Sequence, residues 1–305
     1  METSTSGRSL AALPRRVGGF FVRHVRGFAA LTLVVTSLLV LLGEYTAAAG
    51  AGATCNNTYP GCAGQFSPVG LSIPQFIEWF HRLVAMGVGY VIVGNAVLLW
   101  WAYRGTRASR SAWLATFLLP VQVAFGALTV TVAGLVPGGY APPTQLVHLT
   151  TALAIFVALV ATLVWIDAER GRGASATRFR YAAFGGLALP VLQAVFARDL
   201  FVTFWPSVQT AYHLFGILGL AVLIALVLWA LDAGEASIAA YGAVGAVATL
   251  ANTYLVAGLF LVTARVEAVT YVLLVVQFCC FALLARAARN ASASADRGRA
   301  THHRA

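Results

Sequence analysis

Charge is what this chain has least of. Of its 305 residues only 10% are charged and 60% are hydrophobic, with a mean hydropathy of +0.81, whereas soluble domains carry about a quarter charged residues. That scarcity excludes an ordinary soluble domain and leaves an integral membrane protein. Lysine is missing altogether: the 20 basic residues are all arginine, set against 10 acidic ones for a net charge of +10. In a soluble chain such an excess would raise the question of nucleic acid. Here membrane topology accounts for it, and no nucleic-acid partner is expected. Cysteine is scarce too, and four residues are too few for a disulfide scaffold. Cys55 and Cys62 lie in one loop while Cys279 and Cys280 sit inside an apolar run, so only the first pair reads as a bridge. No zinc set is visible. No cleavable signal peptide is expected either, because the first apolar run is long enough to span and lacks a suitable A-x-A-like site.

What the chain has in quantity is apolar sequence. Eight runs reach spanning length, at about 20 residues each: Phe28–Ala49, Phe76–Trp101, Ala112–Leu135, Thr144–Asp167, Phe179–Ala197, Val208–Leu231, Ile238–Val262 and Ala268–Ala288. An even number puts both termini on one side. Arg8, Arg15, Arg16, Arg23 and Arg26 precede the first run; Arg104, Arg107 and Arg110 follow the second; Arg170, Arg172, Arg178 and Arg180 follow the fourth; and Arg286, Arg289, Arg297, Arg299 and Arg304 close the chain. The positive-inside rule makes those segments cytoplasmic. The opposite loops carry Arg198 beside Asp199 and Arg265 beside Glu267, so loop 50–75 faces an oxidising space where a Cys55–Cys62 disulfide is expected.

The chain also echoes itself. Leu119-Pro120-Val121-Gln122 in the third run returns as Leu189-Pro190-Val191-Leu192-Gln193 in the fifth, each followed by an outer loop and a run with a histidine near its start. The expected fold is an all-α integral membrane protein, eight transmembrane helices as two pseudo-repeated four-helix bundles with both termini cytoplasmic. In residues, this gives a basic tail over 1–27, a first half over 28–168 with the cysteine loop, a linker over 169–178, a second half over 179–288 and a tail over 289–305. Pro120 and Pro190 are expected to kink their helices.

Polar groups inside the runs are few, which makes them candidates for function. Glu78-Trp79-Phe80-His81-Arg82 places a carboxylate, an imidazole and a guanidinium in the first turns of an apolar segment, where each costs roughly 2.5–3.5 kcal/mol at mid-bilayer. Glu78 and His81 are three apart and share a helix face. His24, His302 and His303 belong to the tails. The remaining three, His81, His148 and His213, each lie near the outer start of an even-numbered run, at a common depth of roughly 6–10 Å. Inward-facing imidazoles in a helical bundle suit haem iron. His81 and His148 would pair in the first half. His213 has the equivalent place in the second, but the eighth run has no histidine and offers Tyr271 at that depth, read either as an interfacial aromatic or as a tyrosinate ligand. Glu44, near the end of the first run, is a second intramembrane carboxylate, with either a part in proton or haem handling or a wetted helix-end position.

Taken together, Glu78-Trp79-Phe80-His81-Arg82-Leu83, the preceding Cys-x6-Cys loop, Gln122 with Phe125-Gly126-Ala127-Leu128-Thr129-Val130, and Val147-His148-Leu149 resemble the haem A synthase family of cytochrome oxidase assembly. The resemblance implies successive hydroxylation of the C8 methyl of haem O to a formyl group. It assigns His81 and His148 to the substrate haem, Glu78 to catalysis, Cys55 and Cys62 to a redox or lid-shaping disulfide, and His213 to a cofactor haem b. Arg82 could pair with Glu78 or reach a haem propionate. The sequence departs from the family in lacking the second histidine of the haem b site and in the Asn56-Asn57-Thr58-Tyr59-Pro60-Gly61 filling of its cysteine loop. Implied partners are haem O synthase as haem donor, an electron acceptor the sequence does not identify, and the lipid bilayer of the cell membrane; a homo-oligomer is left open. Two readings compete. A quinone-linked haem b electron-transfer protein would explain the histidines but not Glu78 or the cysteine loop. A transporter would use the repeat, but would call for broken helices with midplane polar groups.

Overall fold

Lipid offers the backbone no hydrogen-bond partners, so apolar runs of this length must satisfy their own N–H and C=O groups as helices. The computed structural model describes residues 12–302 apart from 56–57, 134–141, 199, 204 and 258–262. Among these residues there are nine helices and no strand: α1 (Ala12–Ala48), α2 (Ile73–Ala102), α3 (Arg107–Ala133), α4 (Pro142–Glu169), α5 (Ala176–Gly186), α6 (Ala188–Val195), α7 (Pro206–Asp232), α8 (Ala236–Val256) and α9 (Ala264–His302). Seven of them are long and apolar enough to cross a membrane. Large side chains such as Leu38, Tyr90, Phe117 and Val272 are exposed along these helices, as lipid-facing residues are. This is an all-α, multi-pass membrane protein. The expected ends Leu135 and Val262, the outermost tail residues and the loop pair Asn56-Asn57 lie outside the described residues.

The fifth expected run departs from a single helix. It is divided at Leu187 into α5 and α6, three residues before Pro190, whose ring has no N–H for the carbonyl of Gly186 and crowds it. The notch at the break is filled from α9: a Cβ on Gly186 would lie 2.1 Å from the Phe281 ring. Pro120, its counterpart by sequence, is accommodated inside an unbroken α3. The two prolines therefore act differently although their flanking residues match.

α3 packs on α4, α1 on α2, and α7 on α8 and α8 on α9; α1 and α4 both lie against α7. A shared core of Leu41, Leu149, Phe156, Ile217, Leu223 and Phe281 runs through these contacts. At the arginine-rich end, Arg26 donates twice to Asp167, at 2.7 and 3.0 Å, and Arg107 meets Asp232 at 2.9 Å. Tyr254 of α8 donates to Thr150 of α4 at 3.0 Å near the other end.

Candidate active site

The chain enters α2 through a capping box. Gln75 reaches back so that its Oε1 accepts from the Ser72 N–H at 3.0 Å, while its Nε2 donates to the Thr54 carbonyl at 3.2 Å and ties the helix start to the preceding loop. That loop is closed by a disulfide between Cys55 and Cys62, both wholly buried. Trp79, in the first turns of α2, donates its indole N–H to the Phe66 carbonyl at 2.9 Å. The loop is thus a lid fastened to α2.

Arg82 connects the lid to the carboxylate beneath it. Its Nε donates to Glu78 Oε1 at 2.8 Å, one turn back on the same helix, and its Nη1 donates to the carbonyls of Thr58 and Gly61 at 2.7 and 2.5 Å. Both carbonyls lie inside the eight-residue span from Cys55 to Cys62. The Tyr59 ring covers the guanidinium at 5.3 Å, and the Nη2 has no hydrogen-bond partner among the described residues. The side chains of Arg82 and Glu78 are 10% and 5% exposed, so the pair is sequestered and the carboxylate is oriented. Of the two roles open to Arg82, the structure displays the contact with Glu78.

His81, on the next residue of α2, turns toward α1, where Gly43 makes room for it: a Cβ there would lie 3.3 Å from the His81 Nε2. His148 comes from α4. Its Nδ1 stands 3.1 Å from the Gln122 carbonyl and its Nε2 3.3 Å from the Gln122 amide nitrogen. Gly126, one turn further along α3, lies under the ring, and a Cβ there would come within 2.9 Å of Cε1. With Nδ1–H donating to the Gln122 carbonyl, Nε2 accepts from the Gln122 side-chain amide, and iron held by this nitrogen would take the place of that amide. His81 and His148 thus come from two different helices, α2 and α4, and intramembrane imidazoles of this kind suit haem iron.

His213 is placed elsewhere. It is 1% exposed in α7, and its Nδ1 lies 3.0 Å from Glu44 Oε2 of α1, a contact the sequence did not announce because its partners are 169 positions apart. The distance is that of a charge-assisted hydrogen bond but the angle is not. Glu44 is buried. Consecutive residues of α1, Gly43 and Glu44, therefore separate the His81–His148 pair from His213. Tyr271 stands apart from this: its hydroxyl donates to the Arg198 carbonyl at 2.9 Å. Gln193, also missed as a site residue, is 1% exposed with both amide atoms unpartnered among the described residues, packed over Gly216 one turn beyond His213.

Histidines carried by spanning helices, beside a buried carboxylate and beneath a disulfide-closed lid, define a multi-pass membrane protein with an intramembrane histidine site. Comparison with known families makes this more particular. The model of the cytochrome oxidase assembly protein family, COX15-CtaA, matches residues 26–197, and the chain belongs to that family. The match takes in Glu78, His81, Arg82, His148 and the cysteine loop, and ends before α7. A protohaem IX farnesyltransferase of Halobacterium salinarum is 40% identical over 150 residues, 49% of this chain and 31% of the relative. One of Natronomonas pharaonis is 35% identical over 146 residues, 48% and 29% of the two chains. A haem A synthase of Bacillus cereus is 26% identical over 139 residues, 45% and 43% of the two chains. The matched stretches thus span less than half the length of each of these relatives. No solved structure matches the chain.

Proposed function

We propose that this protein is a haem A synthase, oxidising the C8 methyl of haem O to a formyl group by successive hydroxylations, with the electrons passed to an acceptor outside this chain and the reaction in the half formed by α1–α4. The observation that carries the reading is the Arg82 clamp, which holds Glu78 one turn from His81 and under the lid. In this reading His81 and His148 hold the substrate haem, and the Arg82 Nη2, without a partner among the described residues, is available to a propionate. Glu78 takes up protons released as the methyl is oxidised or stabilises positive charge developing at that carbon. The lid and the apolar bundle keep bulk water from the reacting carbon.

The relatives support this to different degrees. Haem A synthase and protohaem IX farnesyltransferase are both named for a haem, which agrees with a shared haem-handling portion. The farnesyltransferases share less than a third of their length with this chain, so prenyl transfer is assigned to the part they do not share. The transporter alternative gains little from the break between α5 and α6, since Phe281 fills it. The finer topology belongs to the same reading: two related four-helix halves over 28–168 and 179–288, set in the cell membrane with the arginine-rich end cytoplasmic and the cysteine lid outside. Haem O synthase is the donor of the substrate. Cofactor haem b in the second half would be held by His213, whose Nε2 has no partner among the described residues. The test is whether haem A appears in a host that makes haem O.

A further inference from the structure

The second half contains a buried carboxylate–imidazole contact that the reaction proposed for the first half does not use. We propose that Glu44 is the positioning residue of a single-ligand haem site in the second half, orienting His213 so that Nε2 is the atom presented to iron. This rests on the reading that the chain binds haem, and concerns a different half from the methyl oxidation.

Three observations converge on it. Glu44 Oε2 lies 3.0 Å from His213 Nδ1, and the residues are 6% and 1% exposed, so neither group reaches water. Neither ring nitrogen of His213 completes a hydrogen bond among the described residues, the Nδ1 lying near Glu44 and the Nε2 beside no polar partner, although an unpaired nitrogen in an apolar interior costs about 1–3 kcal/mol. A ligand explains that cost, and a ligating histidine characteristically turns its other nitrogen to a carboxylate or carbonyl that fixes its tautomer and raises its basicity. Finally, a second imidazole is missing. α9 carries none within its membrane span, the hydroxyl of Tyr271 is engaged by the Arg198 carbonyl, and the other two intramembrane histidines serve the first-half pair.

Two consequences distinguish this site from a haem held between two histidines. With one protein ligand, the iron is accessible to a small exogenous ligand. With a carboxylate behind that ligand, imidazole donation is strengthened and the ferric state is favoured. Glu44 sits in α1 beside Gly43, against which His81 packs, so the group that tunes the second half is carried by a helix of the first.

The test uses the full-length chain purified with its haem in detergent. Wild type is expected to show a high-spin fraction that binds carbon monoxide and vanishes in His213→Ala. Glu44→Gln should retain haem content yet raise the midpoint potential of that fraction, destabilising its ferric form about tenfold, or ~59 mV for a one-electron couple, with a weakened iron–histidine stretch in resonance Raman. Glu44→Asp should recover part of both. Should His213→Ala not accumulate, Glu44→Gln alone decides. An unmoved potential and stretch in Glu44→Gln, or a low-spin spectrum without a carbon-monoxide-binding fraction, overturns the inference whether or not haem A is made. Absence of haem A with the Glu44-dependent signal intact would overturn only the proposed synthase reaction.

Discussion

Arg82 closes on Glu78 from one turn further along α2, at 2.8 Å, and is itself held by two carbonyls of the disulfide-closed loop. The relationship links a surface element to an intramembrane carboxylate. If Glu78 handles protons for a reaction on haem, loss of the carboxylate should abolish chemistry while the histidines still bind. Glu78→Gln keeps an acceptor for Arg82, and is expected to leave haem content near wild type while formyl formation falls by about 10²-fold or more. Haem extraction and mass analysis check it; hydroxylated haem accumulating would mark the blocked step.

Arg82 itself is predicted to matter for stability. Arg82→Leu strands a buried carboxylate and releases two loop carbonyls, a loss of about 3–5 kcal/mol for a broken buried pair. Thermal unfolding in detergent should show a clear fall in midpoint, and a variant that melts with wild type would show that the clamp contributes little.

The lid should respond to reduction. Opening the loop between Cys55 and Cys62 returns chain entropy worth about 2–3 kcal/mol for a ring of this size. Cys55→Ser with Cys62→Ser is expected to lower the thermal midpoint and to expose residues 58–62 to proteolysis. Added reductant should do to wild type what the double substitution does, and have no further effect on the variant.

Two glycines grade the space around the imidazoles. Gly126→Ala would bring a methyl within 2.9 Å of the His148 ring, whereas Gly43→Ala would stand 3.3 Å from His81. Gly126→Ala is therefore predicted to disturb haem binding the more strongly, seen as a larger loss of absorbance per chain in purified protein; the reverse order would place the haem-facing side of these rings elsewhere.

Tyr271→Phe removes a hydroxyl that donates to the Arg198 carbonyl. Total haem per chain should stay the same, and loss of a haem would restore Tyr271 as a ligand.

The sequence made much of this legible because the membrane makes polarity rare. With charge confined to a tenth of the chain, Glu78, His81, Arg82 and His148 stood out one by one, and helical spacing alone put Glu78 and His81 on a common face. Helices were legible for the same reason, since lipid permits few alternatives. The break at Leu187 was not, because whether a proline kinks or divides a helix depends on what fills the notch, here Phe281. Nor was the Glu44–His213 contact, which is created by α1 packing against α7 and has no local signature. Gly43 escaped notice, and Gly126 stood only as a letter of a motif, because their role is space, which only the neighbouring rings define.

Conversion of haem O to haem A by this chain is read from the haem extracted from cells. In a host supplied with haem O synthase but lacking its own haem A synthase, a haem A mass peak and pyridine haemochrome are expected only when this chain is expressed, and neither with Glu78→Gln produced at the same level. Haem O persisting unchanged beside abundant, haem-loaded wild-type protein would contradict it.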